Sequence, residues 1–236
     1  MSKQSPLFAG FPKNMMDFMV ELRFHNNKDF MAANKSRYIA QMRDPHYALI
    51  ETLAPAMLAI DPHMEVRPYK ALSRIFRDTR FSRDKSPYRD HHWIAFRRQA
   101  EPRESSVVFW FEVRIEGLSW GLGFWGENRP AMNLMRQRME SHPDDMAALL
   151  PGLKRGGLSI SGEAYKRMAV PQDLHPQLKP YYALKDLYIV PAKPPDPGMA
   201  FGPGLVPRLL KDFETLAPWY RLLRGYHDLS QMEGIS

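Results

Sequence analysis

The sequence predicts an α+β fold in which a mainly antiparallel sheet is joined by an N-terminal helical layer and a C-terminal helix. Three observations carry this. Apolar residues recur at helical spacing through the first sixty positions, residues 107–115 (VVFWFEVRI) alternate at strand spacing ahead of a second such run, and helical spacing returns after Leu205. Helices at both ends of a hairpin core fit an antiparallel sheet with segregated helices, not a doubly wound parallel sheet.

The elements follow in order. Met15, Met16, Phe18, Met19 and Leu22 give the first helix its apolar face, with Asn14 as N-cap. His25-Asn26-Asn27 breaks it, and Asn27 caps a second helix over 28 to about 42. Asp44-Pro45 reads as an N-cap followed by proline at the first position of a third helix, which runs to about 60 and is kinked at Pro55. Extended runs follow at 72–76, 93–96, 107–115 and 118–125. In the third, Val107, Phe109, Phe111, Val113 and Ile115 share one face, leaving Trp110 on the other as the exposed ring for base stacking. Glu116-Gly117 turns the chain back into the fourth run.

Pro130 opens a helix to about 140, and a shorter one lies between His142-Pro143 and Pro151-Gly152. Residues 184–190 form the last strand, and 191–204 are a proline- and glycine-rich connection. The terminal helix, 205 to about 224, carries Leu209, Leu210, Phe213, Leu216 and Trp219, with Pro207 and Pro218 limiting its regular part. No polar linker precedes residue 191, so one domain over 1–236 is expected.

Composition narrows the function classes. With 236 residues, 44% hydrophobic and 25% charged, the chain can bury a real core and does not read as disordered. The absence of cysteine excludes disulfides, thiolate zinc sites, iron–sulfur clusters and a cysteine nucleophile. No apolar run approaches a membrane span and no secretory stretch opens the chain, so a cytoplasmic protein with no membrane partner is expected. No feature of the sequence sets an oligomeric state.

The net charge of +7 is concentrated. Arg67, Lys70, Arg74, Arg77, Arg80, Arg83, Lys85 and Arg89 face only Asp78 and Asp84, so this segment holds an excess of six. A basic cluster inside a folded region implies a phosphate, carboxylate or nucleic-acid partner. Arg74, Arg77, Arg80 and Arg83 recur every third residue, and Ser82, Ser86 and Pro87 favour a strand entering a structured loop over a helix. Guanidinium forks suit bidentate recognition of phosphate, and at least three of these four arginines are expected to converge on one concave pocket. Asp78 and Asp84 would orient them or act as carboxylates in their own right. The competing reading is a self-neutralising arginine–aspartate lattice.

Residues 74–89 (RIFRDTRFSRDKSPYR) closely resemble the signature of the uncharacterised family called domain of unknown function 2461. Phe8-Ala9-Gly10-Phe11, Asn26-Asn27 with Phe30, Lys35 and Tyr38, Gly162-Glu163 with Lys166-Arg167, and Lys185 resemble its other blocks, over about 8–222. Phe30-Met31 departs from the pattern in supplying one ring where two are usual. The resemblance implies membership and brings no established activity.

Three functions remain open. In the first, Arg74, Arg77, Arg80, Arg83, Lys85 and Tyr88 hold a phosphate-bearing ligand (nucleotide or nucleic acid), with Asn26, Asn27 and Lys35 closing the site from the helices. In the second, a hydrolase or nuclease uses Asp78 or Asp84 to take a proton or hold a metal while arginines stabilise developing charge. The third is a structural or partner-binding protein. No cofactor and no resident metal site are expected: His91 and His92 are adjacent and would point oppositely on a strand, and Glu112-Val113-Arg114 reads as a charge pair on a strand face. Residues 121–126 (GLGFWG) lie in a strand, and 152–157 (GLKRGG) read as a turn, so neither is taken as a phosphate loop.

Overall fold

The computed structural model describes residues 8–99, 101–102 and 106–232. Helix α1 (Asn14–Phe24) forms where the apolar spacing places it and buries Met15, Phe18, Met19 and Leu22. Asn14 is its first residue and not its cap, since Lys13 holds the N-cap position. The Pro12 carbonyl already accepts from Met15 N at 2.9 Å, so one end donor is met by backbone.

Asn27 does cap α2 (Lys28–Ala33), its side chain accepting from Phe30 N at 2.8 Å. This helix is far shorter than the spacing predicts. At Asn34 the backbone N–H (3.0 Å) and the side-chain amide (2.9 Å) both donate to the Phe30 carbonyl. The chain continues through α3 (Lys35–Tyr38) and a π-helical turn (Ile39–Arg43) into α4 (Asp44–Ile60), which contains Pro55. Asp44 caps nothing, because the π turn delivers the backbone to it already helical and its N–H bonds the Ile39 carbonyl. A short α5 (Pro68–Ala71) follows.

Strands β1 (His92–Phe96), β2 (Val107–Arg114), β3 (Gly117–Phe124), β4 (Leu158–Ser161) and β5 (Tyr188–Pro191) form one antiparallel sheet in the order β1-β2-β3-β5-β4. With helices before and after it, the fold is α+β. β4 was not anticipated; it pairs Leu158 with Pro191 and Ile160 with Ile189 of β5. β5 is correspondingly shorter than residues 184–190, Leu184 making an isolated bridge to Ala164 instead. The run at 72–76 is not a strand of the sheet; Leu72 and Phe76 form isolated bridges. Between β3 and β4 lie α6 (Arg129–Ser141), α7 (Pro143–Ala147) and α8 (Leu150–Gly156), and α9 (Lys179–Tyr182) precedes β5. The 152–157 stretch is therefore mainly helix and not a turn, ending on Gly157 in the left-handed region (φ 68°). A 3₁₀ turn (Pro197–Phe201) and the long α10 (Leu205–Met232) complete the chain.

The chain gathers into two compact units. The first holds the described residues up to Phe96, with Trp110–Ser119 and Pro194–Leu210. Its core includes Met15, Phe18, Leu22, Met42, Leu49, Leu53 and Met57, all shut off from solvent. Phe11 packs between His46 (4.7 Å between ring centres) and Phe111 (6.1 Å). Trp110 is half-buried and its Nε1 donates to Ser119 Oγ at 3.2 Å, so it is not the open stacking ring its strand face implied.

The second unit comprises Arg97–Phe109, Trp120–Lys193 and the residues from Lys211 on. Phe109 packs on Phe213 and Tyr220, and buried Trp120 Nε1 donates to Asp212 Oδ2 at 2.8 Å. Gly123 sits where β5 crosses closest: a Cβ there would meet the Leu187 carbonyl at 2.4 Å. That close approach accounts for a glycine inside β3. Among the described residues no helix is long and apolar enough to cross a membrane.

Candidate functional site

The basic segment folds into an antiparallel arm within the first unit. Ser73 N donates to the Trp93 carbonyl (2.9 Å), Arg89 N to the Ile75 carbonyl (2.7 Å) and Arg77 N to the Pro87 carbonyl (2.9 Å). Residues 72–77 thus run beside 87–94, and 78–86 close the end as a loop. Alternation along the outgoing side buries Ser73 and Ile75 and exposes Arg74 and Phe76.

Asn26 anchors the arm to the end of α1. Its amide donates to the Tyr88 carbonyl at 2.9 Å and accepts from Tyr88 N at 3.0 Å, as a neighbouring strand would. Arg23, in the last turn of α1, reaches Asp90 through Nε at 2.5 Å and Glu116 through Nη1 at 2.6 Å. Burial alone would raise the Asp90 carboxyl; the His91 and Arg23 contacts outweigh it and hold Asp90 below its ordinary value.

Between α1 and the arm lies a cleft of about 450 Å³. Arg23, Arg77 and Arg89 line it, and so do Asp78, Asp84 and Asp90. Asn26, Ser86, Tyr88 and His91 complete the wall. The aspartates are engaged: Asp84 with Arg77, Asp90 with Arg23, and Asp78 with Arg80 at 2.7 Å. The Arg80 guanidinium lowers the Asp78 carboxyl to about 2, while Ser86 and then Arg77 hold Asp84 well below the usual carboxylate range. Arg77, about a quarter exposed, meets a carboxylate among the described residues through Nη1, at Asp84. A guanidinium carries five N–H donors, so most of the Arg77 fork is left to face the cleft. Arg89 lies over the Trp93 ring at 4.7 Å.

The anticipated residues therefore separate. Asn26, Arg77, Tyr88, Asp78 and Asp84 meet at this cleft. Of the four arginines spaced by three, the cleft receives Arg77, so the expected convergence of three does not occur; on a strand-like arm neighbours three apart leave on opposite faces. Arg74 lines a second cleft, of about 470 Å³, with Tyr38, Tyr47, Tyr69 and Phe76. Arg80 folds back on Asp78, Arg83 is exposed at the loop, and Lys85 donates to the Thr79 carbonyl at 2.9 Å. Asn27 is spent as a helix cap and Lys35 is exposed on α3. Arg23, Ser86, Arg89, Asp90 and His91 were not anticipated as site residues; the local excess of charge marked Arg89, the family-like stretch 74–89 contained Ser86, His91 was weighed only as a metal ligand, and nothing marked Arg23 or Asp90.

His91 and His92 do point oppositely. His91 contacts Asp90 through Nδ1 at 2.7 Å and Glu112 through Nε2 at 3.4 Å. His92 is buried between Ser73 Oγ (3.0 Å) and Tyr38 OH (3.1 Å). Burial lowers His92 well below its ordinary value, and Ser73 Oγ also accepts from Trp93 N at 3.1 Å. Glu112 and Arg114 pair with each other at 2.8 Å. Among the described residues no three histidine, aspartate or glutamate side chains are grouped to hold a metal ion.

No curated protein and no solved structure matches this chain. One family model does, described as a conserved hypothetical protein, and it spans residues 14–221, from the first residue of α1 into α10 and through every element of the arm. The chain belongs to the DUF2461 family.

Proposed function

We propose that the cleft between α1 and the arm binds a phosphate-bearing ligand, a nucleotide or a nucleic acid. The observation that carries this is the arrival of three arginines, Arg23, Arg77 and Arg89, from three separate stretches of chain on one concave surface of small-molecule size. The aspartates orient the guanidinium groups, and the unused N–H donors of Arg77 offer the bidentate geometry that phosphate oxygens accept. The same pairing speaks against Asp78 and Asp84 as proton acceptors: carboxylates held this far below their usual range are weak bases at neutral pH.

Titration calorimetry with pyrophosphate and a nucleoside triphosphate tests the reading. Arg77→Ala should weaken binding by about tenfold or more, since a charge-assisted bond is lost. Arg155→Ala, an exposed cation on α8, should change nothing. Equal losses in the two variants, or no binding by the wild type, would sink the proposal.

A further inference from the structure

The first unit exposes four aromatic rings: Phe24 (77%), Tyr69 (63%), Phe76 (63%) and Phe81 (93%). A single exposed ring needs no explanation. Three within positions 69–81 are different, because they interleave with the basic residues. Tyr69 lies beneath Arg67 (6.0 Å) and Lys70 (5.8 Å), and Phe81 beneath Arg80 (5.6 Å). Phe76 neighbours Arg77 in sequence and lines the second cleft, whose other rings are Tyr38, Tyr47 and Tyr69 and whose cations are Arg43 and Arg74. Rings and cations alternate along residues 67–81, and Tyr69, Phe76 and Phe81 stay largely exposed.

We propose that this aromatic face is a stacking platform for unpaired bases and that the ligand of the phosphate cleft is a single strand of nucleic acid. The inference rests on the reading of the arginine cleft as a phosphate site. A single strand repeats a negative phosphate and a flat ring, which is the complement of a surface repeating a cation and a flat ring. A duplex hides its base faces in its own stack and could use only the cations. An apolar peptide or a neutral lipid surface would leave the excess positive charge on residues 67–89 without a counterpart. Arg74 and Arg83, exposed and with no carboxylate partner among the described residues, are placed to follow the backbone outside the cleft.

The test is fluorescence anisotropy with a labelled twelve-nucleotide oligothymidylate and the matching duplex, beside calorimetry with pyrophosphate. The wild type should bind the strand more tightly than the duplex. Phe76→Ala and Phe81→Ala should each weaken strand binding roughly five- to a hundredfold, the range of base–aromatic stacking. For Phe81→Ala, pyrophosphate binding and thermal midpoint should not move, because that ring is exposed and lies outside the phosphate cleft; Phe76→Ala, whose ring packs on Tyr88 of the cleft wall at 5.3 Å, is read against its own pyrophosphate affinity. Pyrophosphate binding that depends on Arg77, together with a strand that binds no tighter than the duplex or ignores both phenylalanines, would overturn the single-strand proposal and leave the phosphate cleft standing. Failure of pyrophosphate and strand alike would overturn both.

Discussion

Asn26 uses its whole amide on the Tyr88 backbone, and the cleft inherits its geometry from that clamp. Replacement by aspartate keeps the acceptor for Tyr88 N–H and sets a carboxylate oxygen against the Tyr88 carbonyl in place of a donor. We expect Asn26→Asp to cost about 2 kcal/mol in urea denaturation, the scale of an unsatisfied, part-buried carbonyl. A neutral result would remove Asn26 from the scaffold and return it to ligand contact. The residue was visible in the sequence, but its work was not. An asparagine clamp depends on a partner 62 positions away, and no spacing rule reports that. Arg23 and Asp90 escaped for the same reason. The opposed directions of His91 and His92 were legible because strand alternation alone decides them.

At the scale of elements, what was legible followed from periodicity. The Met15–Leu22 spacing and the alternation from Val107 to Val113 dictate α1 and β2, and both buried the expected faces. β4 carries only Leu158, Ser159, Ile160 and Ser161, too short for a period, and exists through its ladder with β5. At Asn34 α2 ends and α3 begins, a boundary that no apolar period marks.

Gly10 shows a local constraint of the same kind. Its φ is +127° and a Cβ would lie 2.7 Å from the Phe201 carbonyl carbon, beside the bond from Phe11 N to the Ala200 carbonyl. Gly10→Ala should lower stability by more than about 1 kcal/mol. Gly152→Ala should go the other way by up to about 1 kcal/mol, since α8 is helical there and nothing lies within 4 Å of the added methyl. Denaturation midpoints of the two variants check the opposite signs.

The molecule as a whole is set against acid by buried histidines. Burial lowers His46 to about 4 and His92 well below its ordinary value; burial, followed by Arg224, also lowers His227 in the second unit. His46 faces the rings of Phe11 and His92, with Nδ1 against the Met42 carbonyl at 2.6 Å, and among the described residues no charged partner welcomes a proton there. Because the unfolded chain takes up these protons first, near pH 6.5, their stabilisation is complete above that pH and is lost as pH falls toward 4. His46 alone accounts for on the order of 3 kcal/mol. Urea midpoints should decline through this window, and a midpoint flat from pH 7 to 4.5 would contradict the burial argument.

Charge is the other property of the whole chain, since residues 67–89 hold an excess of six of its net +7. Of the cations in that segment Arg77 and Arg89 line the proposed phosphate cleft, and the decisive question is where an anion settles. A titration of pyrophosphate into uniformly ¹⁵N-labelled protein, read on the arginine Nε–Hε resonances, answers it in solution. The expected result is a saturable shift confined to Arg23, Arg77 and Arg89 and abolished at all three by Arg77→Ala. Shifts centred on Arg155 or Arg208, or equal small shifts across every exposed arginine, would contradict the phosphate cleft.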